Sequence, residues 1–153
     1  MSETNHVIVI GAGAAGMLAA IAAAREGAAV ELWEQNEKPG KKLFITGKGR
    51  CNVTNACDME ELLGSVVSNS KFLYSSFYGF TNQDMMDLLE QAGLRLKVER
   101  GNRVFPQSDK SSDVISALSA LLRQAGVRVC LNQKAEGLAG GGGGWQGGRG
   151  GGR

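Results

Sequence analysis

Gly11, Gly13 and Gly16 stand in the order G-x-G-x-x-G near the start of the chain, and a carboxylate, Glu34, follows eighteen residues after the last of them. Residues of these types at this spacing suit one kind of chemistry: they hold a dinucleotide by its pyrophosphate and its sugar. Gly11 permits a tight turn, Gly13 lets the backbone approach the phosphates, and Gly16 lets the next helix pack closely. Ala14, Ala15 and Gly16 open that helix, so the phosphates meet its free N–H groups and the positive end of its dipole. Glu34 would accept the hydroxyls of an adenosine ribose and would disfavour the 2′-phosphate of NADP.

Such a turn carries this meaning only between a strand and a helix. Val7-Ile8-Val9-Ile10 supplies four β-branched residues ahead of it. Behind it, Met17, Leu18, Ala20, Ile21 and Ala24 give one apolar helical face, and Gly27 stops the helix. A second strand over 28–34 then delivers Glu34. The uncharged run 7–24 approaches the length of a membrane span, yet no Lys or Arg precedes it and its glycines interrupt it. A cytoplasmic protein without membrane attachment is the expectation.

A chain of 153 residues can form one domain with a core, burying roughly two-thirds of its unfolded surface. Its net charge of +2 makes no demand for a nucleic acid partner. Cys51, Cys57 and Cys130 form no C-x-x-C pair and His6 is the single histidine, so neither a metal site nor a histidine-based triad can be assembled.

After Glu34 comes a basic, glycine-punctuated loop over 38–55. It lacks the G-x-x-x-x-G-K-[ST] order of a Walker A loop. Gly40, Gly47 and Gly49 give backbone that can lie against a planar ligand, and Lys42 and Arg50 give cations for anionic oxygens.

With the Gly11–Gly16 turn, Glu34, Gly40-Lys41-Lys42, Gly47-Lys48-Gly49-Arg50-Cys51-Asn52-Val53-Thr54-Asn55 and Arg103-Val104-Phe105-Pro106-Gln107-Ser108, the chain resembles the bacterial FAD-dependent flavoproteins of the aminoacetone-oxidase or BaiN-like type. The resemblance covers residues 7–138. It implies an α/β fold: a Rossmann-like FAD-binding domain of the glutathione-reductase type, three-layered with a parallel sheet. That domain would be incomplete here, because in the family a substrate domain follows. The resemblance places the adenosine half of FAD on the turn and Glu34, with Arg50, Cys51 and Asn52 nearest the flavin. Arg103, Ser108 and Lys110 would lie near the edge of the cofactor, and Ala135 would cross the adenine through its main chain. It further implies a small-molecule substrate for the complete protein and NAD(P)H as a candidate electron donor. A redox disulfide between Cys51 and Cys57 is a rival reading, though five residues separate them where disulfide reductases have four.

The middle of the chain reads as a helical and hairpin insertion over about 58–110, within a binding domain spanning 1–138. Met59, Leu62, Leu63, Val66, Val67, Phe72, Leu73, Phe77 and Tyr78 suggest one or two helices with an apolar face turned to the core. Thr81 and Asp84 form a capping box for a helix carrying Met85, Leu88, Leu89 and Ala92. Residues 94–99 alternate as a half-buried strand, and Gly101-Asn102 turns the chain into 103–105. Val114, Ile115, Leu118, Leu121, Leu122 and Ala125 mark a further helix, and 127–131 a third parallel strand. The glycine-rich residues 139–153 are expected to be disordered, since they offer too few apolar side chains to offset their ordering entropy.

Two other functions fit parts of the sequence. An NAD-binding dehydrogenase domain would use the same turn and the same Glu34. A non-catalytic nucleotide- or RNA-binding module would use Trp145, Arg149 and Arg153 in the tail.

Overall fold

The computed structural model describes residues 5–141 and 144–149. The chain divides into two units, one made of Met1–Leu43 with Leu118–Arg153, the other of Phe44–Ala117.

In the first unit, β1 (His6–Ile10), α1 (Ala14–Arg25) and β2 (Ala29–Trp33) follow in the expected order. β1 and β2 run parallel, with Val7 opposite Val30 and Ile10 opposite Trp33. The third parallel strand is β6 (Arg128–Cys130), which pairs with β2, so the sheet order is β1-β2-β6. Met17, Ala20 and Ile21 of α1 are buried together with Val30, Leu32 and Trp33 of β2. Among the described residues nothing pairs with the outer edge of β1, and Ile8 and Ile10 are exposed.

A short helix, α2 (Lys41–Ile45), straddles the start of the second unit and is followed by a kinked turn over Thr46–Gly49 in which Gly47 and Lys48 are left-handed. The sequence reading treats this stretch as open loop. β3 (Thr54–Asn55) then pairs antiparallel with β5 (Arg103–Pro106), which also pairs with β4 (Leu96–Glu99). The β4–β5 turn is Gly101-Asn102 as expected, with both residues in the left-handed region. Between β3 and β4 lie α3 (Met59–Gly64), a 3-10 turn over Ser70–Leu73, α4 (Tyr74–Gly79) and α5 (Asn82–Gln91). α6 (Ser111–Gln124) follows β5; the second unit ends within it at Ala117, and Val114, Ala117, Leu118, Leu121 and Leu122 are buried along it.

Three sequence expectations are corrected. The apolar stripe expected over 59–78 does not form a continuous core face: Leu63 is buried, but Val67, Phe72 and Tyr78 are exposed. The chain breaks after α3, where Asn69 turns left-handed, so the residues beyond lose the helical register that would have aligned them. Val98, expected on the buried side of its strand, is about half exposed. Part of the glycine-rich tail is paired: β7 (Ala135–Gly141) and β8 (Gly144–Arg149) run antiparallel, with a register shift between Ala135 and Leu138. Backbone hydrogen bonds need no side chains, so glycine content does not prevent such a pairing. Arg153 lies outside the described residues.

Candidate functional site

The turn after β1 has the geometry its glycines suggest. Gly11 sits at φ +96°, and its N–H donates to the Trp33 carbonyl at 2.7 Å, tying the exit of β1 to the end of β2. A Cβ at Gly16 would stand 1.8 Å from the Gly11 carbonyl oxygen, so no larger residue fits where α1 passes over the turn. A Cβ at Gly13 would meet nothing within 4 Å. Gly13 therefore leaves open the space a ligand would take, while Gly16 closes the packing beneath it. Gly13 is the N-cap of α1, and no side chain caps that helix. The N-terminal amides of α1, beginning at Ala14 and Ala15, thus receive no capping bond from the N-cap residue.

Glu34 is buried at the end of β2. Its Oε2 accepts from the Ala12 N–H at 2.8 Å, and its Oε1 accepts from the Asn36 N–H at 2.9 Å and from Asn36 Nδ2 at 2.6 Å. Burial pushes the carboxyl up, but the bonds from Asn36 and Ala12 outweigh it and hold the group below its ordinary value. The result is a carboxylate that stays ionised at neutral pH against the turn. Gly40 joins the same cluster: at φ +72° and buried, it donates to the Ala12 carbonyl at 2.8 Å. Lys42 is exposed on α2. The first unit therefore brings together Gly11, Gly13, Ala14, Ala15, Gly16, Glu34 and Gly40. Ala135 lies in β7, opposite Arg149.

The remaining expected site residues, Gly49, Arg50, Cys51 and Asn52, belong to the second unit. Gly47, Lys48, Gly49 and Cys51 all take positive φ, and a Cβ at Gly47 would press to 2.9 Å from the Asn52 nitrogen. Two non-glycine residues held there mark a backbone that its surroundings over-determine. The free cation expected at Arg50 is an ion-paired one instead. Arg50 Nη2 lies 2.5 Å from Glu99 and 2.6 Å from Asp109, and the guanidinium stacks 4.1 Å from the centre of the Phe105 ring. Lys97 pairs with Asp109 at 2.6 Å and with Glu99 at 3.4 Å. Asn52, with its amide turned so that nitrogen faces acceptors, donates to the carbonyls of Thr54 and Val104. Arg103 stacks more loosely on Phe105, at 5.8 Å.

Cys51 and Cys57 are both free thiols. Burial pushes the Cys51 thiol up, away from the thiolate that disulfide chemistry needs. Among the described residues no group of three or more His, Cys, Asp or Glu could hold a metal ion, and no helix is long and apolar enough to cross a membrane.

Residues 5–145 match the family described as HI0933-like protein Rossmann domain. The chain belongs to that family. It is 37% identical over 138 residues to a 3-dehydro-bile acid delta(4,6)-reductase of Clostridium scindens, a match covering 88% of this chain and 32% of the relative. It is 39% identical over 92 residues to a ribosomal RNA dihydrouridine synthase of Escherichia coli, covering 60% of this chain and 22% of that one. Among solved structures, a flavocytochrome c3 fumarate reductase superposes with a TM-score of 0.59 at 27% identity, over 90% of this chain and 28% of the other. A 3-ketosteroid-delta4-(5alpha)-dehydrogenase from Rhodococcus jostii superposes at 0.63 with 16% identity, over 90% and 40%, a likeness of fold. The chain spans about a third or less of the length of these curated relatives.

Sequence reasoning missed Asn36 and the partners of Arg50. Asn36 carries a readable signal, since it stands two residues past the acid at a strand end. The partners of Arg50 lie 49 and 59 residues away, beyond any local pattern.

Proposed function

We propose that this chain is the nucleotide-binding portion of a flavin-dependent oxidoreductase and holds FAD by its adenosine diphosphate half. The observation that carries the reading is the buried Glu34 carboxylate hydrogen-bonded to Ala12 inside the turn. A buried, ionised group at the end of β2 is matched to a ribose, which offers hydroxyl donors. The residues present fit a diphosphate: the space against Gly11 and Gly13 is clear of protein atoms, and the uncapped start of α1 faces an anion favourably.

When bound, the flavin supplies hydride or electron transfer, and the protein supplies binding and orientation. In this reading Gly11 and Gly13 admit the pyrophosphate, the amides of Ala14, Ala15 and Gly16 bind it, and Glu34 takes the sugar. Gly40 braces the turn through Ala12. Arg50, with its charge already countered, acts as a strut that joins the loop carrying Cys51 and Asn52 to the β4–β5 hairpin. The names of the two curated relatives, a reductase and a dihydrouridine synthase, both denote adding hydrogen to an unsaturated compound. That shared sense supports reduction as the reaction class of the complete protein, and NAD(P)H is the electron donor proposed for it.

Equilibrium titration of the chain with FAD, NADH and NADPH tests the assignment. FAD and NADH, which share the adenosine ribose, are expected to bind, with NADPH at least about tenfold weaker because its 2′-phosphate meets a carboxylate. FAD binding tighter than NADH supports the flavin reading, and NADH binding with no FAD binding would replace it with the dehydrogenase one. Equal affinity for NADH and NADPH would remove Glu34 from the sugar.

A further inference from the structure

Asn36 is the node of a small polar chain at the end of β2. Its N–H and its Nδ2 both donate to Glu34 Oε1, at 2.9 and 2.6 Å, while its Oδ1 accepts from Lys41 Nζ at 3.3 Å. Its own carbonyl accepts from the Asn132 N–H at 3.1 Å, just past β6. The amide can therefore sit only one way round. Turned over, it would place a donor against the ammonium and an acceptor against the carboxylate.

A carboxylate offers about four acceptor positions, and donors of Ala12 and Asn36 reach this one beside the backbone of Gln35. Asn36 supplies two of these bonds, both to Oε1, and its donors leave Oε2 untouched. Oε2 is also the oxygen bonded to Ala12, on the side of the glycine turn. Removing the Asn36 side chain would leave the carboxylate held by backbone donors alone, and the terminal torsion of a glutamate is otherwise soft. We propose that Asn36 is a positioning residue for sugar recognition: by fixing the plane of the Glu34 carboxylate it sets how strongly the site distinguishes a ribonucleotide from a deoxyribonucleotide. Lys41 acts one step further back, by fixing the amide of Asn36.

The inference rests on the adenosine diphosphate reading, and its test separates the two. ADP, 2′-deoxy-ADP, 3′-deoxy-ADP and inorganic pyrophosphate are titrated by calorimetry into the wild-type chain and into Asn36→Ala, with thermal melts in parallel. The wild-type chain is expected to lose about tenfold or more in affinity when at least one ribose hydroxyl is removed, the range for a hydrogen bond to a charged group. In Asn36→Ala both deoxy penalties are expected to fall below about threefold, with pyrophosphate affinity unchanged. A merely structural role would weaken ADP, its deoxy forms and pyrophosphate together. Deoxy penalties that persist in Asn36→Ala overturn the inference and leave the binding site standing. No ADP binding by the wild-type chain overturns the underlying reading as well. Should Asn36→Ala fail to fold, Asn36→Leu replaces it, since leucine keeps the side-chain volume and removes the Nδ2 donor to Glu34. Penalties reduced at least twofold in Asn36→Leu support the inference, and unchanged ones overturn it.

Discussion

At the scale of single residues, the three glycines of the turn differ in kind. Gly16 is required by packing, because a Cβ there would collide with the Gly11 carbonyl; a Cβ at Gly13 would find no protein atom within 4 Å. That contrast was legible in the sequence, since the G-x-G-x-x-G spacing already assigns one glycine to the helix and one to the ligand. The charge state of Glu34 was not, because it depends on donors the fold supplies. Its folded-state pKa lies below the ordinary 4.5, so the carboxylate contributes stability that is complete above that value and is lost as pH falls through the folded pKa. Glu99 and Asp109, held down by Arg50 and Lys97, share the same direction and the same acid window. Urea midpoints measured from pH 6 down to pH 3 are therefore expected to fall, and Glu34→Gln is expected to flatten part of that fall. A variant with the wild-type slope would mean that Glu34 does not hold the turn.

At the scale of elements, local grammar was read well where a few adjacent residues decide the outcome. Thr81 accepts from the Asp84 N–H while Asp84 bonds back to the Thr81 N–H, closing the capping box at the start of α5. Thr81→Ala is expected to lower stability by about 1 kcal/mol without changing the dependence on denaturant, checked by chemical unfolding. Loss of a few tenths or less would show that other contacts carry that helix start. Asn82 supplies such contacts, since its Nδ2 donates to the carbonyls of Asn55 and Cys57, a link of 27 and 25 residues that no local pattern reveals. Residues 59–78 failed for the opposite reason. Their apolar spacing is helical throughout, but left-handed Asn69 resets the register and strands Phe72 and Tyr78 at the surface. In the tail, glycine content argued for disorder, while the β7–β8 pairing needs only main-chain donors and acceptors.

At the scale of the molecule, the parallel β1-β2-β6 sheet and the two flanks of the turn belong to the first unit, and every residue assigned to the adenosine diphosphate belongs there too. The sequence places an insertion at about 58–110, whereas the second unit runs over Phe44–Ala117. Its early start follows from bonds the sequence could not show, among them the Val53 N–H to the Val104 carbonyl at 2.8 Å and the Ser111 hydroxyl to the Phe44 carbonyl at 2.9 Å. The central claim is that a nucleotide diphosphate occupies the space left open by Gly13. Gly13→Val tests it most directly, because a Cβ there has no protein atom within 4 Å and the change replaces only a glycine N-cap that makes no side-chain bond. Measured side by side, the variant is expected to melt within a few degrees of the wild-type chain while its ADP affinity drops by about a hundredfold or beyond detection. A Gly13→Val chain that binds ADP as tightly as the wild type would contradict the account.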